Sequence, residues 1–232
     1  MIFLPDFNYE FSQIPPSTRF LLGIDEVGRG PLAGPVTIGA FLLDLTLFKP
    51  NEFVKIGVRD SKKLSPQKRQ KILAYFSQNQ FAYSVFSASS EKIDQQGINV
   101  VIKGLILYAL NRFKGRFDYC LIDGNYAFDD FSLSSSACPA TAGRGTPEGS
   151  GILKSLISAD STCFSVAAAS ICAKVVRDQR MDGYDLLYPQ YGFKDHKGYG
   201  TKKHLAALQL HGPCPIHRRS FRPVKAVNNQ KI

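Results

Sequence analysis

The stretch LLGIDEVGRGPLAG, residues 21–34, carries two adjacent carboxylates, Asp25 and Glu26, out of an apolar run and straight into a glycine-rich bend. Phe20, Leu21, Leu22 and Ile24 lead up to the pair, and Gly28 and Gly30 follow it. Carboxylates are seldom fully buried unless they are paired or bound to a metal. Two readings fit the pair alone: the solvated end of a strand, or acids set at a sheet edge to hold a cation. Successive strand residues point to opposite faces, so Asp25 and Glu26 share one centre only where the chain bends. Gly28 and Gly30 are expected to supply that bend.

Outward from this stretch, the pattern reads as strands followed by helices. Residues 19–26 and 35–44 predict strands, joined by the glycine-rich bend. Pro66 opens a helix to about Ser77 with Ser65 as its N-cap. Residues 81–87 alternate like a strand, and 97–113 carry Ile98, Val101, Ile102, Leu105 and Leu110 at helical spacing. A short apolar strand, 118–122, stops at Asp123-Gly124. Residues 152–157 predict a further strand and Thr162 to Met181 a helix. The succession argues for an α/β layered domain with a mixed sheet. Between the last two strands lies SLSSSACPATAGRGTPEGSG, residues 132–151, in which thirteen of twenty residues are Ser, Thr, Gly or Pro, so a flexible loop insertion is expected.

The chain has 232 residues, 44% of them apolar, enough for a sizeable core. A net charge of +10 favours a polyanionic partner such as nucleic acid. The charge is concentrated: from Lys194 to Lys225 there are eight Lys and Arg against one acid, Asp195, and all four histidines fall between His196 and His217. The five cysteines form no C-x-x-C pair, which predicts free thiols in a reducing compartment. No apolar run approaches a membrane span and the start lacks signal-peptide features, so a cytoplasmic location is expected.

A metal site needs several acids at one edge of a sheet. Asp25 and Glu26 end the first strand, and Asp123 ends a later one. If those strands are neighbours, three carboxylates converge. Asp160, in Ser-Ala-Asp-Ser-Thr, is the fourth candidate, with helix capping as its alternative. A set of oxygen ligands favours Mg²⁺ or Mn²⁺ over zinc. Two such ions would clamp the attacking and leaving oxygens of an in-line phosphoryl displacement, which points to phosphodiester hydrolysis.

Six segments, GIDEVGRGPLAGPV (23–36), DSKKLSPQKR (60–69), LIDGN (121–125), SVAAASICAKVVRD (165–178), YPQYGFKDHKGYGTKKH (188–204) and HRRSF (217–221), resemble the ordered motifs of the ribonuclease HII family. The resemblance implies a ribonuclease H-like mixed β-sheet flanked by helices, with a helical C-terminal segment. It divides the chain into an N-terminal extension (1–18), a catalytic domain (19–183) and a basic substrate-binding segment (184–232). It also implies cleavage of RNA in RNA–DNA hybrids and incision 5′ to ribonucleotides embedded in DNA, using Mg²⁺ or Mn²⁺ and leaving 5′-phosphate and 3′-hydroxyl ends. No obligate protein partner is expected, and the chain is expected to be a monomer.

By this resemblance Asp25, Glu26, Asp123 and Asp160 are the catalytic, metal-holding acids. Asp160 departs from the family's Lys-Gly-Asp context, being preceded by Ser158 and Ala159. Gly28, Arg29 and Gly30 correspond to the motif that reads the 2′-hydroxyl, the group that separates RNA from DNA. Ser61, Lys62 and Lys63 lie in a segment near the substrate backbone, with ordinary loop residues as the alternative. Ser170, Lys174, Arg177 and Asp178 share one helical face, either solvated or supporting the substrate. Tyr199 corresponds to a tyrosine that contacts the deoxyribose beyond the junction. His217, Arg218 and Arg219 are expected to track phosphates and not to perform chemistry, with a structural role as the alternative. Two rival readings are a non-catalytic hybrid-binding protein on the same fold and a ribonuclease HIII-like enzyme. The Gly-Arg-Gly form and the short N-terminal extension speak against the latter.

Overall fold

The computed structural model describes residues 8–47, 55–126 and 152–229. The expected loop at 132–151 lies outside the described residues. Five strands form one mixed sheet in the order β3-β2-β1-β4-β5. They are β1 (Phe20–Val27), β2 (Val36–Asp44), β3 (Ala82–Ala88), β4 (Tyr119–Asp123) and β5 (Ile152–Leu156). Strand β4 runs parallel to both β1 and β5, with Ile24 opposite Ile122 and Asp123 opposite Leu156. The predicted neighbourhood of the acid-bearing strands therefore holds.

The helices are α1 (Asn8–Ser12), α2 (Pro66–Gln78), α3 (Ser90–Gln96), α4 (Ile98–Arg112), α5 (Ala159–Thr162), α6 (Phe164–Leu187), α7 (Phe193–His196), α8 (Lys202–His211) and α9 (Arg222–Asn229). Ser65 caps α2 as expected, its Oγ accepting from Lys68 N–H at 3.2 Å with Pro66 in the first turn. Helix α6 continues six residues past Met181, where the sequence pattern fades at Asp182-Gly183. Met181 is buried against Tyr191, Phe193 and Cys214, with Tyr184 packed on the same cluster, so tertiary contacts carry the helix through the glycine.

The contacts divide the chain into two compact units that interleave along the sequence. The first comprises Met1–Asp25, Gly39–Ser84 and Tyr108–Cys172; the second comprises Glu26–Ile38, Val85–Leu107 and Ala173–Ile232. The first unit is built on the apolar runs of β1 and β4 and on an aromatic cluster in which Phe41 meets Phe76, Phe81 and Phe164. Gly23 lets β1 approach the start of α6: a Cβ there would stand 2.2 Å from the Ser165 carbonyl carbon. Glu10, from α1, accepts hydrogen bonds from Ser165 N–H at 2.8 Å and Ser165 Oγ at 3.0 Å, anchoring α6 at its first turn. Among the described residues of the second unit, one small core surrounds Met181 and Phe193 and another joins Leu32, Leu208, Val224 and Val227. Among the described residues no helix is long and apolar enough to cross a membrane, and Cys120, Cys163, Cys172 and Cys214 are buried free thiols.

Candidate active site

In the first unit the acids gather around the ends of β1 and β4. Asp25 is buried near the end of β1 and Asp123 is the last residue of β4. The Asp123 Oδ1 accepts the Ala159 N–H at 2.6 Å, which ties β4 to the start of α5. Ser158, before it, is left-handed at φ 60° and makes no side-chain cap, so Asp123 satisfies the exposed amide that opens α5. Asp160 then lies in the first turn with its side chain turned to Lys62, whose Nζ stands 3.1 Å from Asp160 Oδ2. Asp123 caps α5, while Asp160 sits inside its first turn and faces a cation.

The electrostatics of this group are those of crowded negative charge. Burial, and after it the charge of Asp160, holds the Asp123 carboxyl above the usual carboxylate range. Partial burial alone would lower the Lys62 ammonium, but its hydrogen bond to Asp160 and the charges of Asp160, Asp60 and Asp25 outweigh this and raise it. Lys62 remains 78% exposed, so its ion pair adds little to stability. The lysine is a cation standing among acids.

β1 runs regularly through Asp25 and Glu26 to Val27, and the expected bend comes at Gly28, where φ is +91°. Strand alternation therefore separates the two side chains. Glu26 instead meets Arg29, with Oε1 3.6 Å from Nη1. Among the described residues, no three His, Cys, Asp or Glu side chains are grouped closely enough to hold a metal ion as they stand. The chemistry of the donors still fits a hard divalent cation: all are carboxylates, one is raised by burial and then by its neighbour's charge, and an ammonium stands beside them.

The second unit holds most of the residues expected to meet the substrate, Ser61 and Lys62 lying in the first. A Cβ on Gly28 would come 2.2 Å from Arg177 Nε, so only glycine passes there. Arg177 is buried and donates to the carbonyls of Pro35 at 3.0 Å, Ala33 at 3.4 Å and Lys197 at 3.0 Å. Arg218, also buried, donates to Gly34 at 3.0 Å, Arg29 at 2.8 Å and Gly28 at 2.6 Å. Carbonyl dipoles receive both guanidinium groups. Burial, and for Arg218 the nearby Arg177 charge, disfavours the charged forms. Arg29 stays half exposed and bonds Asn99 Oδ1 at 2.6 Å. The Tyr199 ring is 44% exposed, and a Cβ on Gly30 would lie 3.9 Å from its Cε1, so the glycine motif and the tyrosine are neighbours.

Several expected contacts turn out to be internal. Arg218 does not track phosphates, since its donors are spent on the loop it braces, and His217 is buried as well. Ser61 Oγ is buried 2.9 Å from Ser170 Oγ, and Lys174 pairs with Asp178 at 2.6 Å. Arg219 and Ser220 donate their backbone N–H groups to Asp94 at 2.8 and 2.9 Å, while the Arg219 side chain stays exposed. Sequence reasoning missed Glu10, an isolated acid in a short helix with no motif around it. It also missed His204, whose one signal was membership of the histidine-rich stretch.

A mixed sheet with this strand order, flanked by helices and carrying carboxylates at adjacent strand ends, defines a ribonuclease H-like nuclease. The family model described as Ribonuclease HII matches residues 22–224. The chain belongs to the ribonuclease HII family and is an endoribonuclease that acts on RNA–DNA hybrids. It is 40% identical over 221 residues to the Ribonuclease HII of Pelotomaculum thermopropionicum, covering 94% of this chain and 73% of that one. With the Ribonuclease HII of Bacillus licheniformis it shares 41% identity over 219 residues, covering 94% and 76%. Among solved structures, the ribonuclease H2 from Pyrococcus horikoshii superposes with a TM-score of 0.72 at 25% identity, over 91% of this chain and 98% of that one.

Proposed function

We propose that this nuclease incises 5′ to single ribonucleotides embedded in duplex DNA as well as cutting the RNA strand of hybrids, leaving 5′-phosphate and 3′-hydroxyl ends. Asp25, Glu26, Asp123 and Asp160 are the residues that would hold Mg²⁺ or Mn²⁺. When bound, a pair of such ions neutralises charge on the attacking and leaving oxygens of an in-line displacement. The chain's own residues supply recognition and orientation. Lys62, mostly exposed beside Asp160, offers an ammonium to a substrate phosphate. Arg29, half exposed, offers a guanidinium to another. Gly28 and Gly30 bare the backbone so that a ribose can approach closely.

The observation that carries the reading is the neighbourhood of Gly30 and Tyr199. A junction-sensing enzyme must detect a 2′-hydroxyl on one sugar and its absence on the next. The open backbone at Gly30 suits the first and the flat, exposed Tyr199 ring suits the second, because an added hydroxyl would crowd the ring. The buried thiols fit work in a reducing cytoplasm. The test is multiple-turnover cleavage of a DNA duplex carrying one ribonucleotide. A single cut on its 5′ side is expected; activity confined to continuous RNA strands would sink the proposal.

A further inference from the structure

Two buried histidine side chains of the second unit, His217 and His204, form a directed hydrogen-bond chain that runs from the Cys214 backbone to that of Tyr199. The Cys214 backbone N–H reaches His217 Nδ1 at 3.0 Å. His217 Nε2 meets His204 Nε2 at 3.0 Å, and His204 Nδ1 meets the Tyr199 carbonyl at 2.9 Å. The two ends fix the protons in between. A backbone N–H only donates, so His217 Nδ1 is bare and its hydrogen is on Nε2. A carbonyl only accepts, so His204 carries its hydrogen on Nδ1 and receives through Nε2. Every group is satisfied with both rings neutral, and a proton added to either ring would set two donors face to face.

A third ring runs alongside. His196 stacks on His204 with centroids 4.5 Å apart, while its Nε2 meets the Tyr191 carbonyl at 2.9 Å and its Nδ1 accepts the Gly198 N–H at 3.2 Å. The His196 carbonyl accepts the Tyr199 N–H at 2.9 Å. Both backbone groups of Tyr199 are thus held from the histidine cluster, while its ring stays exposed. The chain also joins the glycine motif: His217 is followed by Arg218, whose N–H donates to Leu32 at 2.8 Å and whose side chain grips Gly28, Arg29 and Gly34.

We propose that His204 and His217 are positioning residues that fix Tyr199 against the 28–34 loop through this tautomer-locked chain, so that ring and glycine motif act as one gauge of two successive sugars. The consequence for substrate choice rests on the reading of Tyr199 given above; the relay itself does not. The network is polar where apolar packing would serve stability alone, and a fully satisfied polar network specifies one arrangement. Neither histidine contacts the nucleic acid in this account. They act through Tyr199.

Nitrogen-15 NMR of the histidine rings in the full chain tests the relay directly. It should find His204 as the Nδ1–H tautomer and His217 as the Nε2–H tautomer, both neutral at neutral pH; the opposite tautomer at either ring overturns the proposal. Kinetics supply a second arm, with His204→Leu and Tyr199→Ala measured alone and combined on an embedded ribonucleotide. If His204 acts through Tyr199, the double variant is within about twofold of Tyr199→Ala, whereas losses that multiply contradict it. His204→Asn keeps a donor towards the Tyr199 carbonyl and should recover rate that His204→Leu loses; equal loss in both again overturns it. Should Tyr199→Ala leave the ratio of embedded-ribonucleotide to hybrid cleavage unchanged, the junction reading fails, and the tautomers still decide the relay.

Discussion

Lys62 Nζ lies 3.1 Å from Asp160 Oδ2, an ammonium seated among carboxylates that the family resemblance assigns to metal ions. Removing it separates two roles. Lys62→Ala should leave thermal stability within about 1 kcal/mol of wild type, because the pair is largely exposed. It should tighten Mn²⁺ binding, since Asp160 loses a competing cation, and slow turnover, since a phosphate contact is gone. Calorimetric titration of Mn²⁺ beside steady-state kinetics checks both. Weaker Mn²⁺ binding in the variant would mean that Lys62 organises the acids instead of competing for them.

Tyr199→Ala should lower the rate on one embedded ribonucleotide more than on an all-RNA strand paired with DNA. A packing and stacking contribution of roughly 1–3 kcal/mol corresponds to about a five- to hundred-fold change. Both substrates are compared as kcat/KM at one salt concentration, because phosphate contacts are screened. Equal losses would leave the tyrosine a general contact.

Arg218→Lys should destabilise the fold by about 2–4 kcal/mol, because a single ammonium cannot reach the three carbonyls that the guanidinium satisfies and buried acceptors are left unpaired. Its effect on cleavage should fall more on an embedded ribonucleotide than on an all-RNA strand, because the loop it braces is part of the sugar gauge. Chemical denaturation gives the first quantity and the substrate ratio the second; unchanged stability with weaker hybrid binding would restore the phosphate-tracking role.

Glu10 supplies a pH dependence. Burial pushes its carboxyl from 4.5 up to about 7, against the pull of the Ser165 and Phe164 amides and the Ser165 hydroxyl. The folded chain therefore binds this proton more tightly than the unfolded one, and the group's contribution to stability is full below the unfolded value and lost as pH rises through about 7. Glu10→Gln removes the dependence, so its stability relative to wild type should rise by on the order of 2–3 kcal/mol between about pH 4.5 and pH 8. Thermal melts of both proteins across that range settle the sign. A difference that stays flat or falls with pH would remove Glu10 as the source.

Much of this was legible in the sequence, for local reasons. Ser65-Pro66 marks a helix start, Leu-Ile-Asp-Gly marks a strand end with its acid in place, and both appear as read. What stayed hidden depends on distant partners. His-Arg-Arg-Ser reads as a phosphate-tracking basic segment with a structural role as the alternative, and Arg218 takes the structural one because its carbonyl acceptors come from residues 28–34, far away in the sequence. The bend expected from the glycines does come at Gly28, but β1 stays regular through Glu26, so the two acids still alternate in direction. Helix α6 outran its pattern because Met181 and Tyr184 have a core to pack against.

The central claim, that the carboxylates at the ends of β1 and β4 carry the chemistry while other residues carry the binding, is tested most directly with Asp123→Asn. The measurement is multiple-turnover cleavage of a duplex bearing one ribonucleotide, in saturating Mg²⁺ or Mn²⁺, alongside hybrid affinity without cleavage. The account predicts a cut 5′ to the ribonucleotide by wild type, loss of that cut in Asp123→Asn, and affinity for the hybrid within a few-fold of wild type, since phosphate contacts dominate binding. Turnover by Asp123→Asn at the wild-type rate would contradict it.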